Sequence, residues 1–291
     1  MVAFRFEELH PAVGVEIEGL DLSRKLDSES VGTLRDLFDR TGLLLLRGAE
    51  LSPEDQAHLV GLVVGETAPE NRGDAVARTH TYANYVTNKD EDGYAQFGEL
   101  LFHCDMMWAE TPTRVISLYG HRVEPPTVPT RFASMVRALE TLPADLRSQV
   151  AGLNAVHETG QQRRGAHKDQ LVVPQHEVLR STAKPVIWRH PRTGRELLYV
   201  AQQMTARIEG LDPVDSEALL DKLFAHLYRP EAVLDHDWRQ GDVVVWDNLA
   251  LQHARGNVEI EGPERTLRKV IGPLPTDMGI AKPTMVRAGA E

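Results

Sequence analysis

The sequence predicts a mainly β member of the α+β class: a mostly antiparallel barrel or sandwich with flanking helices. Three observations predict it. Apolar runs of strand length outnumber helical patterns along the chain. The second half shows no strand–helix–strand rhythm, so a parallel sheet with crossover helices lacks support. No Pro/Gly/Ser-rich linker divides the 291 residues, so residues 1–291 are expected to form a single domain with chain enough for a sizeable core.

The elements follow in order. Val13 to Glu18 reads as a strand. Asp27-Ser28 opens a helix with Val31, Leu34, Leu37 and Phe38 on one face, and Gly42 closes it. Leu43–Leu46 is a buried strand. Ser52-Pro53-Glu54-Asp55 starts a second helix: a capping hydroxyl, proline at the first helical position, then acids near the positive dipole end. From Glu66 to Gly98 the chain is rich in Gly, Asn, Asp and Glu and reads as a long loop, a functional signal in a compact domain. Strand signals return at Thr113–Tyr119, and short helices begin near Ser134 and near Pro143. Gly160 to Thr182 is again irregular and polar. Pro185–Trp188 and Glu196–Val200 form a hairpin through Pro191-Arg-Thr-Gly194, Asp212-Pro213 begins a helix, and Asp242–Trp246 and Thr266–Ile271 close the pattern as strands.

Composition bounds the function. Lys plus Arg total 32 against 43 Asp plus Glu, a formal net charge of -11. So acidic a chain is poorly suited to gathering phosphates, and nucleic acid is not an expected partner. The lone cysteine, Cys104, excludes an intrachain disulfide framework and any zinc or iron–sulfur site built from cysteines. No apolar run reaches a membrane span and the N-terminus does not read as a signal peptide, so neither a membrane nor an export route is expected. A cytoplasmic protein is the expectation, as a homo-oligomer (dimer or tetramer).

Two segments carry chemistry. In Leu101-Phe-His103-Cys-Asp105-Met-Met-Trp108, strand alternation puts His103 and Asp105 on one face and Cys104 on the other. In Gly241-Asp-Val-Val-Val-Trp-Asp247-Asn248-Leu-Ala-Leu-Gln-His253, a strand is expected to run into a loop that delivers His253. Two imidazoles and one carboxylate on one face leave metal positions open, the arrangement of non-haem Fe(II) oxygenases. Alone, His-x-Asp arises easily by chance among 12 His and 43 acids, and a surface or capping pair explains it as well.

The surrounding segments add context. They include GVEIEGLDLS, FHCDMMWAETPTRVISLYG, PTRFASMVRALETLPADLRSQVAGLNAVH, KPVIWRHPRTGRELLYV and the run from IEGLDPVDSEALL to VVVWDNLALQHARGN. Over nearly its whole length the chain resembles the taurine dioxygenase/2,4-dichlorophenoxyacetate dioxygenase family of Fe(II)- and 2-oxoglutarate-dependent oxygenases. The resemblance implies a double-stranded β-helix (jelly-roll, cupin-like) core. It implies Fe(II), 2-oxoglutarate and O2 as cofactor and cosubstrates, a small-molecule substrate, and release of succinate and CO2 as the substrate is hydroxylated or cleaved. His103, Asp105 and His253 match the iron ligands, and Thr130 matches the threonine that bonds the far carboxylate of 2-oxoglutarate.

The arginine positions depart from the family. The family shows Arg-x-x-x-Arg, whereas this chain reads Arg265-Thr-Leu-Arg268-Lys269. Alternation puts Arg265 and Lys269 on one face and Arg268 on the other. The family's spacing after its distal histidine instead implies Arg268, 15 residues after His253, so Arg265 and Arg268 are the expected cosubstrate pair, with Lys269 the alternative. A fixed cation is needed because guanidinium grips carboxylate through paired hydrogen bonds.

The retained Asp105 implies oxygenation, since a small residue replaces that carboxylate in related halogenases. Tyr82, Asn88, Phe97, Trp108 and Met204 are the candidate substrate-pocket residues, and sulfonates, sulfate esters, aryloxy acids and amino-acid-like molecules all remain open. Two other classes stand beside this reading: a non-catalytic β-helix binding or sensor protein, and a zinc hydrolase, which has no use for a buried cosubstrate cation. The chain has no G-x-S-x-G, P-loop or dinucleotide fingerprint.

Overall fold

A computed structural model describes residues 2, 4–22, 24, 26–64, 85–90, 93, 95–110, 112–159, 172–175, 180–272 and 284–287. The N-terminal part holds β1 (Arg5–Glu8), β2 (Val15–Glu18), α1 (Ser28–Thr41), β3 (Leu43–Leu46), α2 (Pro53–Val64), β4 (Tyr85–Val86) and β5 (Gly98–His103). Next come β6 (Val115–Val123), β7 (Thr130–Ser134), α3 (Met135–Glu140), α4 (Ala144–Val150), β8 (Asn154–Glu158), β9 (Val172–Gln175), β10 (Ser181–Pro185), β11 (Ile187–Arg189), β12 (Glu196–Leu198) and β13 (Thr205–Ile208). The last part holds α5 (Pro213–Leu227), β14 (Val233–His236), β15 (Val243–Asp247), β16 (Leu251–Val258), β17 (Arg265–Ile271) and β18 (Thr284–Arg287).

Two sheets build the jelly roll. The larger runs β1-β2-β3-β15-β6-β17-β4 and the smaller β14-β7-β16-β5. All their pairings are antiparallel except β2 with β3. Strand alternation sorts the larger sheet's side chains. Leu43, Leu45, Ile116, Leu118, Val244, Trp246 and Leu267 face the interior with Phe132 of the smaller sheet. Their neighbours Leu44, Leu46, Val243, Val245 and Val270 face outward and are covered by Leu34, Phe38, Leu59 and Val63 of α1 and α2. A further core under α3 and α5 packs Met135, Leu139, Leu220 and Leu223 against Tyr199 and Val200.

The capping signals act as expected. Asp27 accepts a hydrogen bond from the Ser30 backbone at 2.7 Å, and Gly42 ends α1 in the left-handed region at φ 76°. Ser52 and Asp55 exchange hydrogen bonds at the start of α2. Ser134 and Asp212 cap α3 and α5. Among the described residues no helix is long and apolar enough to cross a membrane.

Candidate active site

The strands of the smaller sheet bring the two imidazoles together. β5 and β16 run antiparallel with His103 directly opposite His253, and the ring centroids stand 4.2 Å apart. Two local expectations change. His253 lies within β16 itself rather than in a loop, and Asp105 sits in the turn just beyond β5 rather than on the strand. Alternation is therefore not what aims Asp105. Asn248 does so: its Oδ1 accepts from the Asp105 backbone at 2.9 Å, and its Nδ2 donates to Asp105 O at 3.0 Å and Thr113 O at 2.7 Å. Met106 then turns the chain through a left-handed φ of 61°.

The result is one compact donor set. Asp105 Oδ1 is 3.4 Å from His103 Nε2 and 3.7 Å from His253 Nε2. One ligand atom from each of the three residues lies within 4.8 Å of the others, a grouping that could hold a metal ion. His103 Nδ1 is 2.7 Å from Leu101 O. A carbonyl only accepts, so Nδ1 carries the proton and the Nε2 lone pair is left for a metal. Burial, with the Lys269 charge adding to it, holds His253 well below the usual imidazole range, so it is neutral near pH 7. Burial pushes the Asp105 carboxyl up, but the neighbouring Lys269 ammonium foremost outweighs it, and Asp105 lies well below the usual carboxylate range. A neutral His253 and an ionised Asp105 are protonation states that metal ligation requires. The residues therefore fit a hard divalent ion with open positions.

A cation-lined cavity continues from this set. It is bounded by Thr130, Arg255, Arg265, Lys269 and Trp246 with the three donor residues. Lys269 Nζ meets Asp105 Oδ2 at 2.5 Å, leaving Oδ1 turned toward the imidazoles. Arg265 donates from Nη2 to Thr130 Oγ1 at 2.9 Å and from Nε to Val128 O at 3.1 Å. It is 4% exposed, and both burial and the neighbouring Arg255 push its pKa well down, with no acid offsetting them. Arg255 reaches Ala95 O at 2.7 Å and Phe97 O at 3.1 Å, tying the chain before β5 to β16.

Arg268 is not brought to this cavity. It points to the outer face of β17, where Nε donates to Gln56 Oε1 at 2.8 Å and Nη2 to Leu51 O at 2.6 Å, with the guanidinium 4.4 Å over the Tyr119 ring. The physical reason is alternation: three residues after an inward Arg265 is an outward position, whatever the count from His253. Asn88 also differs from its expected place in a pocket wall. Its Oδ1 accepts from the Arg265 backbone at 2.9 Å and its Nδ2 donates to Glu259 O and Pro263 O, so it braces the start of β17. Trp108 is buried in the turn beyond Asp105, with the Arg180 guanidinium 5.6 Å over its ring. Met204 is half-buried against the core that holds Met107 and Cys104. Tyr82 lies outside the described residues. The sequence reading missed Trp238, whose Nε1 donates to Thr130 Oγ1 at 2.9 Å, and Arg255. Arg255 carried a signal: it is two residues beyond His253 on the same strand, hence on the same face.

A jelly roll that gathers two histidines and one acid beside a cation-lined cavity is the architecture of a non-haem iron oxygenase. Residues 5–271 match the Taurine catabolism dioxygenase TauD, TfdA family, and the chain belongs to it. It is 27% identical over 274 residues to an alpha-ketoglutarate-dependent 2,4-dichlorophenoxyacetate dioxygenase of Cupriavidus pinatubonensis, covering 90% of this chain and 94% of that protein. It is 27% identical over 282 residues to a pentalenolactone F synthase of Streptomyces avermitilis, covering 89% of this chain and 90% of the other. Among solved structures it superposes on a taurine dioxygenase from Burkholderia xenovorans with a TM-score of 0.72 and 26% identity, covering 94% of this chain and 92% of that one. The protein is an Fe(II)- and 2-oxoglutarate-dependent dioxygenase that uses O2.

Proposed function

We propose that this dioxygenase hydroxylates, or oxidatively cleaves, a small anionic organic molecule, releasing succinate and CO2. His103, Asp105 and His253 would hold the iron. Lys269 would keep Asp105 turned so that only Oδ1 faces the ion, which matches its contact with Oδ2. When bound, iron supplies the redox chemistry that couples O2 to decarboxylation of the keto acid and oxygenation of the substrate.

The cosubstrate site rests on one observation. Arg265 is buried, hydrogen-bonded to Thr130, and offset by no acid. A buried guanidinium is costly unless a counter-charge meets it, and the far carboxylate of 2-oxoglutarate supplies one. Arg255 on the same cavity adds to the attraction for a dianion. An anionic group on the substrate is supported by two relatives, one named for 2,4-dichlorophenoxyacetate, a carboxylate, and one for taurine, a zwitterion whose sulfonate is anionic. The retained Asp105 supports oxygenation over halogenation.

The experiment is a substrate panel of aryloxy acids, sulfonates and sulfate esters beside neutral analogues (amides and alcohols), with Fe(II) and 2-oxoglutarate, read as succinate formed. Succinate well above the substrate-free rate with one anionic class supports the proposal. Turnover confined to neutral substrates would overturn the anionic assignment. A protein that binds 2-oxoglutarate yet forms no succinate under any condition would point to the sensor alternative.

A further inference from the structure

Thr130 opens β7, two residues before Phe132, which pairs with His253. That places it roughly 7 Å along the sheet from the imidazole, on the same cavity. Its hydroxyl oxygen receives two hydrogen bonds, from Trp238 Nε1 at 2.9 Å and from Arg265 Nη2 at 2.9 Å. Indole and guanidinium can only donate, and a hydroxyl oxygen has two lone pairs and one hydrogen. Both lone pairs are therefore taken. What Thr130 has left to offer is its own O–H, directed away from both donors, and among the described residues no acceptor is seen for it.

We infer that Trp238 is a positioning residue: by filling one lone pair of Thr130 Oγ1 it commits the threonine hydrogen to the cavity, and so makes the site select a keto acid by its far carboxylate. This rests on the cavity being the 2-oxoglutarate site. Without the indole N–H the hydroxyl is free to rotate and present a lone pair to the incoming anion, which repels it. Tryptophan suits the task because a donor-only group cannot swap roles, as a tyrosine hydroxyl could. The ring is well fixed: it is 2% exposed, stands edge-on to His236 at 4.6 Å, and lies 5.9 Å from the Arg265 guanidinium. His236 pairs with Thr130 across β14 and β7, so the short stretch beyond β14 returns Trp238 to the threonine.

The test uses calorimetry on the Mn(II)-loaded protein with two probes. N-oxalylglycine carries the far carboxylate and pyruvate does not. Trp238→Phe keeps an aromatic ring and removes the N–H. It is expected to weaken N-oxalylglycine about fivefold, the worth of one net hydrogen bond. Pyruvate and Mn(II) affinities should stay within twofold. Thr130→Val should weaken N-oxalylglycine at least as much, and adding Trp238→Phe to Thr130→Val should change nothing more. In turnover, the KM for 2-oxoglutarate should rise more than kcat falls. Equal weakening of both probes, or additive losses in the double variant, would reduce Trp238 to packing and overturn the inference. Weakening by Thr130→Val but not by Trp238→Phe sinks the inference and leaves the site reading intact. If Thr130→Val has no effect, the site reading itself fails. Should Trp238→Phe unfold, benzothienylalanine at position 238 keeps the bicyclic shape without the N–H and is read the same way.

Discussion

On β17, the face turned into the jelly roll carries Arg265 and Lys269, while the face turned toward α2 carries Arg268. The two arginines are chemically identical and their surroundings are not. Arg268 has Gln56, the Leu51 carbonyl and the Tyr119 ring in place, and the charges of Glu54 and Asp55 at the start of α2 act on it. Its partners need nothing from outside the protein. Arg265 has one hydroxyl, one carbonyl and another cation nearby. The difference teaches how to tell a structural buried charge from one held for a ligand: the first is met by its own chain, the second by nothing of opposite sign.

The sharpest way to break that comparison is to truncate each arginine. Arg265→Ala should raise the 2-oxoglutarate concentration needed for half-maximal succinate formation roughly 100-fold, the loss of a charge-assisted pair of hydrogen bonds. Its Mn(II) affinity should change little. An unaltered cosubstrate requirement would move the role elsewhere in the cavity.

Lys269→Met releases Asp105 Oδ2 and leaves the carboxylate free to reorient. Metal affinity, followed by calorimetry, should fall by about tenfold, the lower end of what outer partners of metal ligands contribute. Lys269→Arg should recover most of it. If Lys269→Met binds metal as well as the parent does, the contact is incidental.

Arg268→Ala should act on the fold alone. The loss of two hydrogen bonds and a ring contact is worth about 1–3 kcal/mol in urea unfolding, with Gln56 left short of a partner. The 2-oxoglutarate requirement should hold within twofold. A cosubstrate defect as large as that of Arg265→Ala would erase the distinction between the two faces.

A further effect is one of pH. Burial lowers His253, and it lowers His157 to about 3, from an ordinary 6.5. The unfolded chain therefore takes up protons below pH 6.5 that the folded chain refuses, so stability must fall on acidification. Metal-free protein should lose up to about 1.4 kcal/mol per pH unit for each histidine between pH 6.5 and 5. Denaturant curves that coincide at pH 7.5 and 5.5 would contradict the burial of these neutral rings.

Much of this was legible before any coordinates. Asp27, Gly42, Ser52-Pro53 and Asp212-Pro213 are local signals, and local signals survive translation into structure. Leu43–Leu46 matched residue for residue. His103, Asp105 and His253 were singled out by the resemblance of the segments around them, because residue type alone selects poorly among 12 His and 43 acids. Arg268 shows where the reading went astray. A count from His253 runs through a loop of arbitrary length, whereas alternation is fixed by backbone geometry, and alternation was the better guide. Trp238 and Asn88 act through partners 108 and 171 or more positions away in the chain, which no local pattern encodes. Asn88 looked like a loop polar group facing a pocket because the backbone it braces cannot be seen in sequence.

β5 forms one edge of the smaller sheet, and among the described residues β16 is its sole sheet partner. His103 and His253 face each other across that single seam. An ion gripped by both would clasp the border strand to its neighbour. An enzyme stripped of iron would then have a loosened margin with unpaired N–H and C=O groups, a template for aggregation and a target for proteases.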